Sequence, residues 1–167
     1  MLSFLPGPIK GALAFLLMSL NTIVCVVPLL LLALLKIIVP MKAWQRGITT
    51  VLVVIAETWI INNNAVLALT QKLELDVRGM DNLHYHGWYF VTSNHQGWAD
   101  ILILQKIFSR RIPFLKFFLK QELIWVPLMG AAWWALDFPF MKRHSKEFQE
   151  KHPEMNGKDL ETTRKAC

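Results

Sequence analysis

One imidazole and one carboxylate five positions apart, His95 and Asp100, are the residues of this chain best suited to move a proton. They lie in Ser93-Asn94-His95-Gln96-Gly97-Trp98-Ala99-Asp100, between a strand-like run at residues 88–92 and an apolar run at 101–107. On one continuous helix, residues five apart differ by roughly 140° in azimuth, so these two side chains cannot meet on a single helix face. They meet if His95 occupies a turn and Asp100 the first turn of the following helix. A carboxylate placed there holds the imidazole in one tautomer, which is the working arrangement of a general base.

Four kinds of chemistry compete for the stretch. His95 and Asp100 can simply pair to satisfy a loop. They can join His84 and His86, two apart on an extended backbone, as metal ligands, although no CxxC or HExxH spacing supports a metal site. Ser93 can serve as a nucleophile, but no Gly-x-Ser-x-Gly elbow surrounds it. In the fourth reading His95 takes a proton from an alcohol as that oxygen attacks an acyl thioester. Asp100 then accepts the other imidazole hydrogen, and backbone amides near Gly97 and Trp98 face the oxyanion. Gly97 is expected to permit the tight turn this requires.

The elements that position these residues begin with a long apolar segment. Apolar residues make up 54% of the 167-residue chain and charged residues 18%, against about 45–50% and 25% in soluble domains. Residues 11–35 carry no charge, enough for a helix across the hydrocarbon core, which takes roughly 20 residues. The run is too long for a signal-peptide core and is read as an uncleaved anchor. Lys36, Lys42 and Arg46 follow it and only Lys10 precedes it, so the body of the chain is expected on the cytoplasmic side. Ile48, Val51, Leu52, Ile55 and Trp59 recur at helical spacing, with Glu57 and Asn62-Asn63-Asn64 as interruptions. A returning interfacial helix and a second full span are both open readings of this segment.

From residue 72 the texture changes. Residues 72–78 alternate charged and apolar, predicting a half-buried strand; residues 88–92 predict a second strand, and residues 100–107 a helix. Strand, turn, helix in that order opens an α/β domain. Residues 112–140 are rich in Phe, Trp, Leu and Pro, and residues 159–166 read as a solvated helix. The organisation expected is a membrane-embedded helical hairpin over residues 1–70, then a mixed α/β domain over residues 71–167. The formal charge of +6 suits an anionic lipid surface or a phosphate-bearing substrate, and no dense Lys/Arg run supports nucleic acid. Two cysteines, Cys25 and Cys167, provide no disulfide framework.

Three ordered blocks carry a resemblance. Asn94-His95-Gln96-Gly97-Trp98-Ala99-Asp100 matches the Asn-His-x4-Asp motif of the glycerolipid acyltransferases, the lysophosphatidate acyltransferase family. Lys120-Gln121-Glu122-Leu123, continuing to Pro127-Leu128-Met129-Gly130, is similar to the family's Lys-x-Glu-Leu…Pro-x-x-Gly block. Phe140-Met141-Lys142-Arg143 resembles its Phe-Ile-x-Arg motif. The wording is closest to the bacterial YihG-type branch, which is similar to the lysocardiolipin acyltransferases.

The resemblance implies transfer of a fatty acyl group from acyl-CoA or acyl carrier protein to the free hydroxyl of a lysophospholipid, at the bacterial inner membrane and without a cofactor. It makes His95 the base and Asp100 its orienting partner. Arg143 becomes a phosphate ligand, a role its planar fork suits, and Lys120, Asn94 and Gly97 become further substrate contacts. The family's later Glu-Gly-Thr-Arg motif does not occur, and Thr162-Thr163-Arg164 is no substitute for it. The expectation is therefore a shortened family member that lacks part of the sheet and of the phosphate site and shows little or no acyl transfer. The alternative is an inactive membrane protein that only binds lipid or partners.

Overall fold

The uncharged run becomes the body of a 32-residue helix, α1 (Gly7–Ile38), in a computed structural model that describes residues 4–142. A proline in its first turn costs no hydrogen bond, and Lys36 in its last turn complements the helix dipole. Val39, Pro40 and Met41 turn the chain into α2 (Lys42–Thr70), and the two helices pack as an antiparallel hairpin. The buried residues of α2 are Ile48, Leu52, Ala56, Ile60, Asn63, Val66 and Thr70, steps of three or four that make one stripe. Those of α1 include Cys25, Val26, Leu29 and Ala33. The outward faces are apolar as well: Phe15, Leu16, Leu20, Ile23, Leu31 and Val54 are all exposed. Both helices are long and apolar enough to cross a membrane.

Glu57 and Asn62 to Asn64 do not break α2; Glu57, Asn62 and Asn63 each find a hydrogen-bond partner. The Asn21 side-chain amide donates to the Trp59 carbonyl at 3.0 Å and to Asn63 Oδ1 at 2.9 Å. Its own Oδ1 accepts from Asn62 Nδ2 at 2.9 Å. Trp59 Nε1 donates to Thr22 Oγ1 at 3.0 Å, and that hydroxyl donates to the Met18 carbonyl at 2.8 Å. Asn63 is 2% exposed, so without these bonds its amide would be stranded in an apolar interface. Hydrogen bonds of this kind between apolar helices contribute about 0.6 kcal/mol on average and up to about 1.7 kcal/mol each. They also fix which turns of the helices face each other.

The chain leaving α2 departs from expectation. Residues 72–78 and 88–92 form no strand; every residue from 71 to 79 is exposed. Alternation produces a strand only where a partner supplies a ladder and another layer covers the apolar side. Here Leu73, Leu75 and Val77 remain 38–39% exposed. The charges pair locally instead, Lys72 with Glu74 at 3.0 Å and Arg78 with Asp76 at 2.6 Å. The expected helix does form, as α3 (Trp98–Phe108), and packs against α2.

Residues 4–115 belong to one unit and residues 116–142 to a second. In the second, β1 (Leu119–Lys120) pairs in parallel with β2 (Phe140–Met141), Leu119 opposite Phe140 and Lys120 opposite Met141. Between them run a 3₁₀ turn (Gln121–Trp125) and α4 (Met129–Ala135). Gly130 has a steric reason to be glycine, since an added Cβ would collide with the Ile124 carbonyl. The α/β expectation thus holds only for this small parallel pair. The described residues are mostly helical, and the sheet has two strands of two residues. The expected helix at 159–166 lies outside the described residues.

Candidate active site

The site grows from the start of α3. Gly97 is the N-cap, and Asp100, three residues on, turns its carboxylate back over the helix N-terminus. Asp100 Oδ2 accepts the backbone N–H of Gln96 at 2.6 Å and of Gly97 at 2.9 Å. This is the carboxylate half of a capping box; glycine has no side chain to return the bond. The two backbone donors, first Gln96 and then Gly97, hold the Asp100 carboxyl below the usual aspartate range, and His95 adds to the effect. Asp100 therefore stays ionised and fixed in direction.

His95 lies against that anchored carboxylate, Nδ1 to Oδ2 3.3 Å. Its side chain is 55% exposed, against 33% for Asp100. The arrangement points one ring nitrogen at a fixed anion and leaves the imidazole open to a reactant. A proton on Nδ1 is favoured by Oδ2, which makes Nε2 the basic nitrogen.

Several sequence expectations change here. Gly97 has extended backbone angles, φ −169° and ψ 171°, and an added Cβ would meet nothing within 4 Å. The turn does not depend on glycine's conformational freedom. Its N–H is bound to Asp100, so it is not the oxyanion donor expected. The remaining α3 donors in that position are the amides of Trp98 and Ala99, which a helix leaves without intrahelical partners. Ser93 makes no hydrogen bond to His95 among the described residues. His84 and His86 do not join His95, for no group of three metal-ligating side chains forms among the described residues. Asn94 is exposed beside His95. Lys120 is exposed on β1 in the second unit, and Arg143 lies outside the described residues.

Sequence reasoning missed Tyr85 and its partner Glu57. The Tyr85 hydroxyl donates to Glu57 Oε1 at 2.7 Å, across 28 residues. That bond, then burial and the charge of Glu57, push the Tyr85 phenol up, against an opposing effect of Arg110. The signal was a lone carboxylate in mid-helix, which needs a partner wherever it is drawn out of water.

No curated protein and no solved structure matches the chain. The protein-family model described as Acyltransferase matches residues 74–164, more than half of the chain and the region that holds the His95 turn. The chain belongs to the Acyltransferase family.

Proposed function

We propose that this protein transfers a fatty acyl group from acyl-CoA or acyl carrier protein to the free hydroxyl of a lysophospholipid at a membrane surface, with His95 as general base and Asp100 as its orienting partner. The observation that carries this reading is the 3.3 Å approach of His95 Nδ1 to a carboxylate already fixed by two backbone N–H groups. The acceptor hydroxyl gives its proton to Nε2 as its oxygen attacks the thioester carbonyl carbon. A C–O bond forms, the C–S bond breaks, and the imidazolium returns the proton to the departing thiolate. Asp100 stabilises the imidazolium between these events. The Trp98 and Ala99 amides at the positive end of α3 are the donors for the transient oxyanion. By the resemblance, Arg143 binds the acceptor's phosphate, with Lys120 and Asn94 as further contacts.

The hairpin supplies the membrane contact. Between Arg46 and Glu57, α2 has ten uncharged residues, about 15 Å of helix and half of a hydrocarbon core of roughly 30 Å. Beyond Glu57 a further 13 uncharged residues complete α2, so both helices of the hairpin are long and apolar enough to cross a membrane. The setting we propose is a bacterial inner membrane with the His95 region on its cytoplasmic face, an orientation supported by Lys36, Lys42 and Arg46 following the uncharged run of α1, which only Lys10 precedes.

The test is acyl transfer from acyl-CoA to lysophosphatidate by the chain in phospholipid vesicles. Transfer by wild type is expected to be slow, since the Glu-Gly-Thr-Arg motif is absent from the sequence, and His95→Ala to lower that rate about 10²–10⁴-fold. Equal transfer by both would remove His95 as the base. Lysophosphatidate binding without transfer by either would leave the binding-only alternative.

A further inference from the structure

Glu57 is where three parts of the first unit meet. It lies in mid-α2, thirteen residues before the helix ends at Thr70, so about 20 Å from that end. The connection after α2 must double back along the helix for Tyr85 to reach it. Glu57 also lines a small cleft with Ile60, with Gln105 and Phe108 of α3, and with Arg110 beyond it. Tyr85 opens a tight local structure. Gly87 N–H donates to the His84 carbonyl at 3.0 Å, and His84 N–H donates to the Tyr89 hydroxyl at 2.7 Å. An added Cβ on Gly87 would strike the Tyr89 ring. The segment carrying His95 leaves from this loop. Among the described residues, Tyr85 to Glu57 is the hydrogen bond that ties this loop to α2.

We propose that the Tyr85–Glu57 hydrogen bond is a latch that positions the His95 turn against the hairpin, making Tyr85 and Glu57 positioning residues for the acyl transfer proposed above. The role rests on that reading of the reaction, but the latch itself does not. A carboxylate part-way along an apolar helix gives the hydroxyl a charged acceptor, and hydrogen bonds to charged groups are the stronger kind. With the loop held at Tyr85 and α3 held on α2, the intervening residues 86–97 are fixed at both ends. His95 then sits at a set height on the hairpin, where it can face an acceptor in the lipid surface.

The test uses the full chain in phosphatidylethanolamine–phosphatidylglycerol vesicles, with amide hydrogen exchange as a readout independent of activity. Tyr85→Phe removes only the hydroxyl. It is expected to speed exchange about three- to tenfold at Gly87 and also at Gln96 and Gly97, the two donors to Asp100. It should lower kcat by a similar factor and leave the KM for acyl-CoA unchanged. Glu57→Leu should reproduce both effects, and Glu57→Gln, which keeps an acceptor oxygen but loses the charge, should fall between Glu57→Leu and wild type. Faster exchange at Gly87 alone would show a local loop contact and overturn the positioning role. So would a Glu57→Leu chain whose exchange at Gln96 and Gly97 matches wild type. If wild type and His95→Ala transfer equally, the reaction assigned above fails, and exchange at Gln96 and Gly97 still decides the latch.

Discussion

The hairpin and the segment from residue 71 to residue 97 handle polar groups in opposite ways. In the hairpin, Asn21, Asn62, Asn63, Thr22 and Trp59 are drawn together between apolar helices and bond to one another. Their value lies in register, since any shift of α2 along α1 would strand several of them at once. In the later segment, the polar groups face solvent and regular structure is absent until α3 begins. There the few long-range or turn-defining bonds act singly: Tyr85 to Glu57, and Gln96 and Gly97 to Asp100. The difference separates two tasks. The hairpin fixes its register through a shared polar cluster, and the exposed segment leaves the His95 imidazole more than half open to solvent.

The separation can be broken by substitution, in order of expected effect. Asp100→Asn keeps the shape of the side chain but removes the charge that favours the imidazolium. Because Asp100 is one-third exposed, the expected loss in kcat is about 10–100-fold, smaller than where the partner is buried. Steady-state acyl transfer checks it, and an unchanged kcat would deny the carboxylate its role. Next, Asn63→Leu should cost the hairpin about 0.6–1.7 kcal/mol, measured by unfolding in mixed micelles. It should leave hydrogen exchange at Gln96 and Gly97 as it was, because the bonds that tie the later segment to the hairpin run through Glu57 and not through Asn63; a coupled change there would show that the polar cluster also supports the His95 turn.

The smallest effect is with pH. The folded Asp100 carboxyl titrates below its ordinary range, so its bonds to Gln96 and Gly97 contribute fully above the unfolded pKa. They are lost as pH falls through the folded one. The Gln96 and Gly97 amide resonances should shift together with a midpoint below that of an unstructured aspartate. A midpoint at or above it would contradict the capping geometry.

Where the sequence was legible, the reason was local. Twenty-five uncharged residues at 11–35 leave a helix as the simplest way to bond the backbone, and α1 is that helix. The His95–Asp100 pair was readable because their spacing forbids a shared helix face, so that the two can meet only across a turn leading into a helix. That is what α3 provides. The unread parts depend on distant partners. Asn62 and Asn63 look like helix interruptions until Asn21, some forty residues earlier, is placed beside them. Alternation at residues 72–78 describes a strand only if a neighbour exists, and none is present among the described residues. Gly97 suggested a strained turn, yet its angles are ordinary, and the turn is held by the Asp100 carboxylate instead. Tyr85 gave no periodic or motif signal at all; only the carboxylate it meets did.

The most direct measurement of whether His95 and Asp100 work as one unit is a double-mutant cycle on acyl transfer from acyl-CoA to lysophosphatidate. Groups that act together lose their effect together. If Asp100 serves only through His95, the His95→Ala/Asp100→Asn chain will be no slower than His95→Ala alone. Losses that multiply in the double variant would mean that the two residues act independently, and would contradict the dyad.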